Sequence, residues 1–173
     1  MTYIIGIDIG VTGGIAYLGT QQPLASVEPM PVAEIQHGKH VRHILDTGSL
    51  VEKLKPFSER NTQVFYEEMR IQPGGLGQSA MGAAAYGRML GAIEAICLCL
   101  GLPCTAVSPK DWQREMLAGM NTTDRRGRKL ASIARAHQLF PTVSLRPTER
   151  CKKDSDGMAD AVLIAEYGRR KLS

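Results

Sequence analysis

Several features are missing from this chain of 173 residues, and each absence removes a class of protein. None of the four cysteines (Cys97, Cys99, Cys104, Cys151) forms a CxxC pair, which argues against a zinc site or a disulfide framework. Reduced thiols in a cytosolic protein are the expectation instead. No hydrophobic run reads as long enough to span a bilayer, so no membrane partner is expected. The N-terminal residues read directly as a strand, without the basic region, apolar core and cleavage site of a secretory signal. Internal repeats, low-complexity tracts and interdomain linkers are also lacking, so residues 1–173 read as one domain large enough to bury a core.

What is present is an uneven charge distribution. The net charge is only +4, yet from Lys110 to Lys153 eleven Lys and Arg residues face four Asp and Glu residues. A local excess larger than that of the whole chain suits a phosphate backbone; a solvated basic face is the plainer alternative. Candidates for phosphate contact are Lys110, Arg114, Arg125, Arg126, Arg128, Lys129, Lys152 and Lys153.

The stretch "YIIGIDIGVTGGIAYL" reads as a buried strand over Tyr3–Ile9, a glycine-rich turn and a second strand over Ile15–Leu18. Asp8 in the middle of such a strand costs several kcal/mol of desolvation, by order of magnitude, unless hydrogen bonds or cations meet it. Either backbone amides satisfy it, or it serves a metal or phosphate site. The following "PLASVEPMPV" and "GKHVRHIL" suggest a third strand with a looped edge, and Thr47 or Ser49 suits the cap of a short helix through Leu54. Thr62–Glu68 reads as another central strand, followed by a loop over 69–78. Ser79–Leu100 reads as a long helix lined with small residues, a face for core packing or for a dimer seam. A short strand over Pro103–Pro109 leads into a helix capped by Ser108. Further helices follow over Asp124–Phe140 and the C-terminal segment, giving a mixed α/β fold.

Asp8, Glu67, Asp156 and Asp160 form the second pattern. Asp156 and Asp160 lie one helical turn apart and share a face, where like charges repel. Asp160 directly precedes the apolar "AVLIA", so its carboxylate is expected to be buried. Magnesium or manganese resolves this conflict, because hard cations take oxygen ligands. Two ions about 4 Å apart activate a water and stabilise the leaving oxygen of a phosphodiester.

The segments "GIDIGVTGGIAYL", "VFYEEM", "GLPCTAVSPKDWQ", "IARAHQLFP" and "KKDSDGMADAVLIAEYGRR" resemble the RuvC-type Holliday junction resolvases of the ribonuclease H-like superfamily, and its phage and prophage members in particular. The resemblance implies a mixed five-stranded sheet flanked by helices, with the first three strands antiparallel. It also implies a homodimer, cytoplasmic in a bacterial or phage-infected cell, that makes paired symmetric nicks in a four-way junction. Asp8, Glu67, Asp156 and Asp160 match the family's metal ligands, with Asp8 bridging two ions; Glu68 and Asp154 are the neighbouring alternatives. The chain departs from the family in two places. Residues 69–80 lack the aromatic that relatives often carry after the strand glutamate, leaving Met69, Ile71 or Leu76 for that contact. The spacing from Asp156 to Asp160 is also one residue longer than in some relatives. Two other classes compete: an actin-like or sugar-kinase-type ATP-binding protein, which needs a second domain, and a non-catalytic junction-binding module, which needs only the basic segment.

Overall fold

The computed structural model describes residues 2–20, 22–68 and 80–172. Strands β1 (Tyr3–Asp8), β2 (Gly14–Gly19) and β3 (Gln22–Pro29) form an antiparallel meander, and β4 (Val32–His37) with β5 (His40–Leu45) makes a separate hairpin. After helix α1 (Thr47–Leu54) and one 3₁₀ turn come β6 (Thr62–Glu67), α2 (Ala80–Cys99) and β7 (Cys104–Val107). Helices α3 (Pro109–Met116), α4 (Arg125–Leu139) and α5 (Asp156–Lys171) complete the chain. The main sheet has the order β3-β2-β1-β6-β7, with β6 parallel to β1 and β7 parallel to β6. This is the expected ribonuclease H-like mixed five-stranded sheet flanked by helices.

The alternation of side chains along the strands builds two cores. Ile4, Phe65 and Val107 face a layer made by α3, α4 and α5, where Trp112, Ala136, Met158 and Val162 are buried. Ile5, Ile7, Val64 and Tyr66 face the opposite layer, with Leu50 and Leu54 of α1 and Met89 and Ile93 of α2. Helix α5 lies directly on β1. A methyl group on Gly6 would stand 2.3 Å from the Ala161 carbonyl oxygen, a contact that only a missing side chain permits.

Three local expectations are corrected. The segment read as one looped third strand is β3 followed by the independent β4–β5 hairpin, whose turn has Gly38 at φ 62°. The cap of α1 is Asp46, whose Oδ1 accepts from the Ser49 amide at 3.0 Å; Ser49 is its donor rather than the cap. The start of α3 is as expected, with Ser108 at the N-cap position, though without a side-chain bond, and Pro109 as the first residue of the helix. Finally, α2 is long and apolar enough by composition to cross a membrane, with mean hydropathy 1.2, against the reading that no such run exists. Its alanines raise hydropathy without bulk, and one face (Tyr86, Met89, Ile93, Ile96, Cys97) packs on the sheet.

Candidate active site

Period-two alternation places Asp8 at the C-terminal end of β1 on the face that carries Ile4 and Gly6. Glu67 ends β6 on the face that carries Phe65. Because Ile7 aligns with Tyr66 in the parallel pair, the two carboxylates end neighbouring strands on the side covered by α5. The next residue, Glu68, is exposed, and its amide continues the ladder by donating to Val107.

The start of α5 is fitted against the β1–β2 turn. The Gly13 amide donates to the Gly10 carbonyl at 3.0 Å, closing that turn. A Cβ at Gly157 would stand 2.2 Å from the Thr12 oxygen and 3.0 Å from Asp8 Oδ2. Ser155 caps the helix by accepting from the Met158 amide at 3.3 Å. Asp156 and Asp160 then enter the field of Asp8 from the first two turns.

The electrostatics follow from this convergence. Burial first, then repulsion from Asp160, Glu67 and Asp156, holds the Asp8 carboxyl well above its ordinary range, against the pull of Lys129. Asp160 is pushed up to about 7, chiefly by burial; Ser132 and Lys129 oppose the shift, while Glu67 and Asp156 add to it. Burial also raises Glu67, opposed by the hydrogen bond from Trp112 Nε1 to its Oε1 at 2.9 Å. Lys129 pairs with Asp156.

Trp112, Ser132 and Tyr86 were not singled out by sequence reasoning. Trp112 is fully buried, Ser132 is a polar residue on the buried face of α4, and the Tyr86 hydroxyl donates to the Glu67 carbonyl at 2.8 Å. The readable signals were a single tryptophan in an amphipathic helix and a serine interrupting an apolar helical stripe.

The donor chemistry fits a hard cation. All four groups are carboxylates, and Asp160 Oδ1 is buried without a hydrogen-bond partner, at an energetic cost that a cation would offset. Among the described residues, however, no three His, Cys, Asp or Glu side chains are gathered closely enough to hold an ion. The carboxylates share one field rather than a finished coordination shell. Asp154 is directed elsewhere, toward His137 at 2.8 Å and Arg146 at 3.9 Å.

The basic candidates divide into groups. Lys110, Arg114 and Arg128 line one groove of about 410 Å³ between α3 and the segment entering α4. Arg114 also pairs with Asp111 at 3.1 Å. Arg125 and Arg126 are exposed in the first turn of α4, which contains no acidic residue. Cations there oppose the helix dipole, an arrangement that an approaching anion relieves. Lys129 stands at the carboxylates instead, while Lys152 and Lys153 are exposed ahead of α5. Met69, Ile71 and Leu76 lie outside the described residues.

No family model and no curated protein matches the chain. Solved structures do. The RuvC of Thermus thermophilus in complex with a Holliday junction substrate is 14% identical, with TM-score 0.54, over 94% of this chain and 90% of that one. A second structure of Thermus thermophilus RuvC is 19% identical, with TM-score 0.52, over 98% and 96%. The yeast mitochondrial Holliday junction resolvase Ydc2 is 14% identical, with TM-score 0.50, over 96% and 77%. At these identities the likeness establishes the fold.

Proposed function

We propose that this protein is a magnesium- or manganese-dependent endonuclease for branched DNA, acting on four-way junctions as a homodimer that places paired symmetric nicks. The observation that carries the reading is the convergence of Asp8, Glu67, Asp156 and Asp160 at one end of the sheet, with a buried, unpartnered oxygen on Asp160. The fold shared with junction resolvases supports the same reading.

Asp8, Glu67, Asp156 and Asp160 would hold two ions. When bound, such ions supply activation of a water and stabilisation of the leaving oxygen. The chain's own residues set the stage. Trp112 and Ser132 orient Glu67 and Asp160 through hydrogen bonds. Lys129 balances Asp156 until the phosphate arrives, and then becomes one of its candidate partners. Lys110, Arg114 and Arg128 in their groove, with Arg125, Arg126, Lys152 and Lys153, would grip the DNA backbone without reading its sequence.

The exposed face of α2 supports the dimer. Ala84, Gly87, Gly91, Ala95 and Leu98 recur at helical spacing along it, Leu98 being 82% exposed. Small side chains there allow a second helix to approach closely. The function is tested by cleavage of a four-way junction by the wild type and by Asp8→Asn.

A further inference from the structure

A groove of about 250 Å³ opens between the β4–β5 hairpin, α2 and the β1–β2 turn. Its floor is largely apolar, with Val11, Ile44, Ala85 and Met89 among the lining residues. Arg42 from the hairpin and Arg88 from α2 stand at its walls. Among the described residues, neither arginine has a carboxylate within ion-pair distance, whereas the neighbouring His43 meets Glu34 at 3.8 Å. Val11 and Ile44 are 43% and 39% exposed, so part of the floor faces solvent. Val11 belongs to the β1–β2 turn that follows Asp8, the turn against which the start of α5 is fitted on the other side of the sheet.

An apolar floor between two cations from different elements matches the two chemistries of a nucleotide. A base offers a flat, poorly hydrated face, and its flanking phosphates offer charge to guanidinium groups. The volume suits one base rather than a duplex. We propose that this groove receives a single unpaired nucleotide from the branch point of the DNA, its base on the apolar floor and its phosphates on Arg42 and Arg88. The inference rests on the nuclease reading and adds a specific place for a nucleotide freed at the branch. Residues 85, 88, 89 and 92 lie on a face of α2 beside the small-residue stripe, so the groove and the dimer seam do not compete for the same side chains.

The test uses the full chain and four-way junctions that carry the fluorescent base aminopurine singly at each position next to the branch. With wild type, fluorescence changes at one such position, and Ala85→Leu, which fills the groove, abolishes that change. Arg42→Ala and Arg88→Ala each flatten the slope of log affinity against log salt by about 0.9, the loss of one phosphate contact. Arginine variants with unchanged slopes, or no responding position, while the wild type still binds and nicks the junction, overturn the groove and leave the nuclease reading standing. Failure of the wild type to bind the junction removes both. Should Ala85→Leu not fold, the salt slopes of the Arg42 and Arg88 variants decide alone.

Discussion

The indole Nε1 of Trp112, fully buried beneath α5, donates to Oε1 of Glu67 across 2.9 Å. That bond opposes the burial that raises Glu67, and so holds this carboxylate nearer to its ionised form. Trp112→Phe keeps much of the apolar volume and removes the donor. The variant is expected to lose about 1.5–3 kcal/mol of stability, the usual range for a hydrogen bond to a charged group. Its cleavage rate should need higher pH than the wild type, because Glu67 then ionises later. A rate–pH profile whose acid limb does not move would show that Trp112 only packs.

Gly157 lets the start of α5 pack directly against the β1–β2 turn. A methyl group there meets backbone at 2.2 Å and 2.7 Å, so α5 must move away from the β1–β2 turn. Gly157→Ala is expected to cost about 1–3 kcal/mol, as overpacking does, and to reduce cleavage more than junction affinity. Equal loss of both would place the effect on global folding rather than on the position of Asp156 and Asp160.

The buried carboxylates make metal-free stability depend on pH. Asp160 has a folded-state value of about 7 against an ordinary 3.8, so the folded protein holds a proton that the unfolded chain releases. Its contribution is fully present below pH 3.8 and is lost as pH rises through 7. In chelator, the melting temperature of the wild type should therefore fall relative to Asp160→Asn across that window. Magnesium should reverse the loss above pH 7, where the carboxylate is ionised. Parallel melting curves for the two proteins would remove Asp160 from the buried, charged centre.

Gly87 and Gly91 have open space around an added Cβ within the protomer. Gly87→Leu should leave the protomer folded while blocking close approach of a second α2. Sedimentation at micromolar concentration should give a dimer for the wild type and a monomer for the variant. A wild-type monomer would remove the basis for paired nicking.

The sheet and the carboxylates were legible because their signals are local. Strand composition placed Asp8 within the first strand, where it proves to be the last residue of β1, and Glu67 at the end of a later one, and an apolar run after Asp160 placed that residue on a packed helix. Contacts between distant segments were less legible. Nothing in the sequence joins Trp112 to Glu67, 45 positions apart, or Ser132 to Asp160. The β4–β5 hairpin was hidden by Pro29 and Pro31, which read as a ragged strand edge, although "HGKH" holds its turn. At α2 the many alanines hid how apolar the helix is, since they make a partly packed helix as apolar as a membrane span without any run of bulky residues.

The most direct measurement is cleavage of a labelled four-way junction against linear duplex of the same sequence, with magnesium and with chelator, by wild type and Asp8→Asn. The account predicts paired, symmetric, magnesium-dependent nicks near the branch for the wild type, and binding without cutting for the variant. Cutting that survives chelator or Asp8→Asn, or wild-type binding without cutting in magnesium and manganese alike, would contradict it.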